Sequence, residues 1–163
     1  MERAFFMEIL YEDNHIIIVN KQAGEIIQGD KTGDRTVADE IKAYLKEKYN
    51  KPGAVFLGIP HRLDRPVSGV SIFARTSKAL ARLNEMFRKG EIEKTYQAIV
   101  IHEPQIASGT LEHWLTRNEK QNKAYAHKAP QKNAKKAILD YKVEAKSDRY
   151  WLINVQLHTG RHH

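Results

Sequence analysis

The stretch ILDYKVEAKSDRYWLINVQL, residues 138–157, decides the fold class. From Ile138 to Ala145, and again from Tyr150 to Leu157, apolar side chains alternate with polar ones. A period of two marks a half-buried strand, because successive side chains point to opposite faces. Lys146-Ser147-Asp148-Arg149 lies between the two runs and is short and polar enough to turn the chain back. The reading is an antiparallel hairpin, and it sets the expectation for the rest of the chain.

Strand formers recur towards the N-terminus. Ile9-Leu10-Tyr11 and Ile16-Ile17-Ile18-Val19 flank a turn at Glu12-Asp13-Asn14. Lys21-Gln22-Ala23-Gly24 breaks the run before a short strand at Ile26-Ile27. Val37, Ile41, Tyr44, Leu45 and Tyr49 have helical spacing. Thr36 with Asp39 forms a capping pattern at the start, Lys46 and Lys48 suit the end, and Pro52-Gly53 stops the helix. Ala54 to Ile59 reads as a buried strand, Pro60 to Ser68 as a polar loop, and Val70 to Ala74 as a strand. Ser77 caps a second helix with a Leu80, Leu83, Met86, Phe87 stripe and Gly90 as its stop. Lys94 to Ile101 and Thr110 to Thr116 are further strands. With no repeat and no Pro- or Gly-rich linker, the chain reads as one α+β domain, a mixed and largely antiparallel sheet flanked by helices.

Composition narrows the function. The 163 residues contain no Cys, which excludes disulfides, a Cys nucleophile and Cys-based metal sites. No apolar run approaches the ~18 residues a membrane span needs. The opening eight residues are too short and acidic for a signal peptide, so a cytoplasmic location is expected. The net charge is +7 and the pI about 9.5, which suggests a polyanionic partner. That charge is localised. Residues 1–116 carry 16 basic and 16 acidic side chains, whereas residues 117–136 carry seven basic and one acidic. This segment has few apolar residues and reads as a long loop or an exposed hairpin. A solubilising loop would explain it as readily as a nucleic-acid grip.

The densest polar cluster between two apolar strands is His61-Arg62-Leu63-Asp64-Arg65-Pro66-Val67-Ser68-Gly69. Loops fixed by buried strands are natural places for a site. Arg62 and Arg65 beside Asp64 favour an ionised carboxylate, available as nucleophile or base. A lone Asp between two Arg residues is more often a surface salt bridge.

The stretch from His61 to Gly69 resembles the His-Arg-Leu-Asp-x-x-Thr-Ser-Gly signature of the RluA family of RNA pseudouridine synthases. Asp13-Asn14-His15 through Asn20-Lys21-Gln22-Ala23-Gly24 resembles that family's opening strand and its Asn-Lys-Pro-Ala-Gly motif. Lys94-Thr95-Tyr96-Gln97-Ala98-Ile99-Val100 resembles its Lys-x-Tyr-x-Ala-x-Val strand. Leu157-His158-Thr159-Gly160-Arg161-His162-His163 resembles the start of its Leu-x-Thr-Gly-Arg-x-His-Gln-Ile-Arg motif. The four stand in the family's order and cover essentially the whole chain. Gln22 replaces a usual Pro and Val67 a frequent Thr, and neither substitution removes a group that does chemistry.

The resemblance implies that Asp64 is the catalytic carboxylate in the isomerisation of a uridine already in ribosomal or transfer RNA. It implies that no cofactor and no metal are needed, and that the first step is attack at C1′, attack at C6 or removal of the 2′ proton. Tyr96 matches the active-site Tyr, able to stack on the extruded uracil and to serve a later proton transfer. From spacing alone, Tyr96 is equally a core strand residue. His61 and Arg62 match residues beside the flipped nucleotide, with Arg65 next to them. Arg161 is expected on phosphate or lining the site, and Lys120 and Lys123 are expected to grip RNA. Partners are RNA and no membrane, and the complete protein is expected to be a monomer. The family's last motif continues past His163. The chain therefore reads as the N-terminal portion of the catalytic domain, with no S4-like module before it.

Three further patterns are weaker. His158-x-x-x-His162 has metal-ligand spacing for a helix, but Thr159-Gly160 argues against a helix and no acidic third ligand lies nearby. His61, Asp64 and Ser68 are triad residue types without a nucleophile elbow. Gly29 and Gly33 form no phosphate-binding loop. The rival class to an enzyme is a non-catalytic basic RNA-binding module, supported by residues 117–136.

Overall fold

The computed structural model describes residues 7–29, 33–119, 121 and 123–160. The chain divides into two compact units, Met1–Glu91 and Ile92–His163. Every strand pair among the described residues is antiparallel. The expected fold class therefore holds, with the strands distributed over two sheets.

The first unit is built on three strands, β1 (Glu8–Glu12), β2 (Ile16–Lys21) and β3 (Gly69–Ala74), in the order β1-β2-β3. Ile17 and Val19 on β2 and Phe73 on β3 are fully buried. Helix α1 (Val37–Lys48) covers them with Val37, Ala38, Ile41 and Leu45. Burying a side chain such as Ile41 or Leu45 contributes about 1.5–3 kcal/mol. The helix starts as the sequence indicates. Asp39 N–H donates to Thr36 Oγ1 at 3.0 Å, and the Asp39 carboxylate reaches back to Thr36 N–H at 3.3 Å.

Three local expectations change. Ile26 and Ile27 form no strand. Their carbonyls accept from the Val37 and Ala38 N–H groups, at 2.8 and 3.3 Å, so this backbone caps α1 instead of pairing in a ladder. Residues 54–59 form no strand beyond a single bridge, Gly58 to Ala74. Continuing that ladder would place Pro60 opposite Ile72, and Pro60 has no N–H to give. His61 takes over: Ile72 N–H donates to His61 Nε2 at 3.1 Å. The open edge of β3 is thereby covered. Helix α2 (Ser77–Lys89) is capped by Thr76 rather than Ser77, since Ala79 N–H donates to Thr76 Oγ1 at 3.1 Å. A larger residue at Gly58 would force Leu80 to shift, because a Cβ there would lie 2.8–3.0 Å from its side-chain carbons.

The second unit is a five-stranded sheet. Its strands are β4 (Thr95–Val100), β5 (Ser108–Asn118), β6 (Lys123–His127), β7 (Lys135–Lys146) and β8 (Trp151–Leu157), in the order β4-β8-β7-β5-β6. The hairpin of residues 138–157 is β7 and β8, with a bulge between Val143 and Ala145. The basic segment is also a hairpin, formed by the end of β5 with β6. Register separates the faces. Tyr96, Val155 and Tyr141 form one cross-strand row beside Ala98, Ile153 and Val143. The opposite face carries Thr95, Gln97, Asn154, Gln156 and Asp140.

Candidate active site

Residues 60–68 form an irregular loop leading into β3. Leu63 packs against the core of the first unit, whereas Arg62 and Asp64 are exposed on either side of it. The loop is held by its backbone. Gly24 N–H donates to the Arg65 carbonyl at 2.7 Å, and Val67 N–H donates to the Asp64 carbonyl at 3.0 Å.

The strongest anchor is a residue to which the sequence reading gave no role. Lys21 ends β2 opposite Gly69, the first residue of β3, and is fully buried. Its Nζ donates to the carbonyls of Gln22 (3.1 Å), Asp64 (3.2 Å), Arg65 (3.3 Å) and Val67 (2.5 Å). Burial pushes the Lys21 ammonium below its ordinary pKa, while the Glu25 and Asp64 carboxylates pull the other way. A signal for Lys21 was present: the inward period of two that runs through Ile17 and Val19 reaches Lys21 next. It was hidden because a lysine beside Gln22-Ala23-Gly24 looks like the start of a polar turn.

Asp64 is thus fixed through its main chain, and among the described residues its carboxylate accepts no hydrogen bond. The carboxylate faces solvent, available to a ligand. Gly69 closes the loop at φ +138, a backbone conformation that side chains other than glycine rarely adopt. Arg65 does not sit on Asp64: its Nη2 lies 2.8 Å from Asp34 Oδ2. His61 is engaged inside the fold. Its Nε2 accepts from Ile72, so the ring carries its proton on Nδ1, and it tilts against Phe87 with centroids 5.0 Å apart.

In the second unit, Tyr96 is half-buried on β4, opposite Val155. Lys123 opens β6, exposed and opposite Asn118. The Thr159-Gly160 stretch is tied to β7: Ile138 N–H donates to Thr159 Oγ1 at 2.9 Å, and the His158 N–H donates to the Ile138 carbonyl at 3.1 Å. His158 Nε2 lies 2.6 Å from Asp140, whose other oxygen accepts from the Thr110 hydroxyl at 2.6 Å. The hydrogen bond from Thr110, joined by that from His158, holds the Asp140 carboxyl below the usual carboxylate range. Arg161, Lys120 and His162 lie outside the described residues. Among the described residues no group of three or more His, Asp or Glu is arranged to hold a metal ion. No described helix is long and apolar enough to cross a membrane.

Comparison with known proteins follows the same lines. The family model described as RNA pseudouridylate synthase matches residues 15–163. An RNA pseudouridine synthase of Chlorobaculum parvum is 36% identical over 162 residues, covering 95% of this chain and 49% of that protein. The ribosomal large subunit pseudouridine synthase D of Yersinia pestis is 30% identical over 158 residues, covering 96% and 46%. The chain thus spans about half the length of the curated relatives it matches. The solved structure of human RNA pseudouridylate synthase domain containing 4 superposes with a TM-score of 0.78 at 23% identity, over 94% of this chain and 60% of that one. It supports the fold.

Proposed function

The chain belongs to the RNA pseudouridylate synthase family, and on that footing we propose that it isomerises uridine to pseudouridine in structured RNA with Asp64 as the catalytic carboxylate. The observation that carries the assignment is an exposed carboxylate, Asp64, on a loop whose backbone is clamped by the buried Lys21. A reacting group gains most when its position is fixed before substrate arrives. In the reaction the N1–C1′ bond breaks and a C5–C1′ bond forms. C5 loses a proton and N1 ends protonated, so no electrons are gained or lost. Asp64 serves this chemistry as an ionised carboxylate at the sugar or ring.

Arg62, exposed beside Asp64, holds the extruded nucleotide, whose unstacking costs a few kcal/mol. His61 positions the loop by its bond to Ile72. Tyr96 supplies a ring for uracil and a hydroxyl for proton transfer at C5. The basic hairpin, with Lys120 and Lys123, grips phosphate apart from the chemistry. Large-subunit ribosomal RNA is the first substrate to test, following the name of the Yersinia pestis relative; transfer RNA is the second.

The test supplies RNA labelled with tritium at C5 of uridine and measures release to water. Release by the wild-type chain that vanishes in Asp64→Asn supports the assignment. Equal release by both would overturn the role of Asp64. Salt-sensitive RNA binding with no release by the wild type would favour a non-catalytic RNA-binding module, to which the net positive residues 117–136 lend themselves.

A further inference from the structure

We propose that one face of the β5–β6–β7 sheet is a stacking platform for unpaired RNA bases. The inference rests on RNA being the substrate and adds which part of an RNA this face recognises. The register places His127, Trp114 and Lys136 in one cross-strand row, with Thr116 and Tyr125 in the next row of the same face. Arg117 and Lys135 fall on the opposite face, since their partners Ala124 and Leu115 alternate with that set. Cations therefore serve both faces of the hairpin, whereas its aromatic rings lie on one.

Three features separate this face from an ordinary solvated sheet surface. Tyr125 is 47% exposed, so its ring is open to an incoming base. Trp114 and Tyr125 are diagonal neighbours, positions about 7–8 Å apart, so one ligand can reach both rings. The third feature is the surrounding charge. Residues 117–136 carry seven basic side chains against one acidic, which suits a phosphate chain running past the rings.

Local contacts hold the face ready. His127 Nε2 lies 2.9 Å from Thr116 Oγ1, which orients the imidazole. The Tyr125 hydroxyl donates to Gln121 Oε1 at 2.6 Å. Lys136 Nζ stands 5.8 Å from the Trp114 ring centre and 2.9 Å from Glu112 Oε1. Both members of that ion pair are about half exposed, so the pair by itself contributes little.

The test compares three ligands of equal length on the Trp151→Phe chain, in which Trp114 is the sole tryptophan. They are an oligouridine, the same backbone without bases, and a fully paired RNA stem. Oligouridine should quench Trp114 fluorescence and bind about tenfold more tightly than the abasic oligomer, as stacking on an aromatic ring predicts. Tyr125→Ala should erase most of that preference, and Tyr125→Phe, which keeps the ring, should retain it. Equal binding of oligouridine and the abasic oligomer, stem binding as tight as oligouridine, or an unaltered preference in Tyr125→Ala each overturns the platform. The readout is binding alone, so the platform can fail while tritium release still depends on Asp64, and the reverse.

Discussion

Lys21→Met is the most informative single change, because it separates holding the fold from holding the loop. The substitution keeps an unbranched stem of similar length and removes the ammonium. Three of the four carbonyls bonded to Nζ keep another partner: Gln22 O retains Glu25 N–H (3.3 Å), Asp64 O retains Val67 N–H (3.0 Å) and Arg65 O retains Gly24 N–H (2.7 Å). Val67 O loses the shortest bond of the set. A hydrogen bond to a charged group contributes about 1.5–3 kcal/mol. Against that loss stands the relief of a buried ammonium, whose cost is visible in the lowering of the Lys21 pKa by desolvation. The two effects oppose each other, so global stability should fall by only about 1–2 kcal/mol.

The loop has no such compensation. Its remaining backbone–backbone ties among the described residues are the Gly24–Arg65 and Asp64–Val67 bonds, and without the ammonium between them both should open more often. Native-state hydrogen exchange reads this directly. The Gly24 and Val67 amides should exchange about tenfold faster in Lys21→Met, while amides of β2 paired to β3 change only with global stability. A misplacement of the reacting group by about 1 Å can cost ~100-fold in rate, so single-turnover tritium release should fall far more than the unfolding midpoint. Unchanged exchange at Gly24 and Val67 alongside a large drop in unfolding midpoint would refute the reasoning and make Lys21 a plain core residue.

Two further changes test the frame around the loop. Glu12 accepts from Tyr49 Oη (2.7 Å), Lys48 Nζ (2.8 Å), Tyr44 Oη (2.9 Å) and Arg75 Nη1 (3.0 Å). Burial alone would push its pKa up, but the hydrogen bonds from Lys48, Tyr49 and Tyr44 outweigh it and hold it at about 2. A folded pKa below the unfolded 4.5 means stability is fully present above pH 4.5 and is lost as pH falls towards 2. The fall corresponds to at most about 3 kcal/mol, so urea midpoints of the wild type should drop across that window and those of Glu12→Gln should be flatter. Equal slopes would remove Glu12 from the account. Gly69→Ala should cost about 1–3 kcal/mol in thermal unfolding, because alanine is strained at φ +138 and the nearest atom, Leu63 Cδ1, is a comfortable 3.9 Å from the new Cβ. A neutral result would show that the loop closes without that conformation.

Elements with a strong local pattern were legible from sequence: both helices, the residue 138–157 hairpin, and the break at residues 60–68. Misreadings occurred where backbone groups are satisfied by something other than a ladder. Ile26-Ile27 looks like a strand by composition, yet its carbonyls serve the start of α1. Residues 54–59 look like a buried strand, yet Pro60 and His61 end the pairing after one bridge. In the candidate site, Asp64 stood out because its polar loop lies between two apolar runs and matches a family signature. The four-carbonyl clamp did not, since a side chain bonding to main-chain oxygens more than 40 residues away leaves no local pattern. His61 has a similarly non-local side: the family resemblance puts it beside the flipped nucleotide, and the structure adds a bond from the Ile72 N–H at the edge of β3, eleven residues away.

The distribution of charge over the two units sharpens what mutants should do. Residues 1–91 carry 15 basic and 13 acidic side chains, and residues 92–163 carry 12 and 7. Long-range attraction for a polyanion therefore originates mainly in the unit with the basic hairpin, whereas the Asp64 loop belongs to the nearly neutral one. Counterion release scales with the number of phosphates neutralised, so hairpin cations should govern the salt dependence of binding. Placement of the carboxylate depends on Lys21 and Gly69, which should act on the chemical step at saturating RNA. If neutralising hairpin lysines lowered single-turnover rates at saturation as strongly as Lys21→Met, grip and chemistry would share one element, and this division would have to be abandoned.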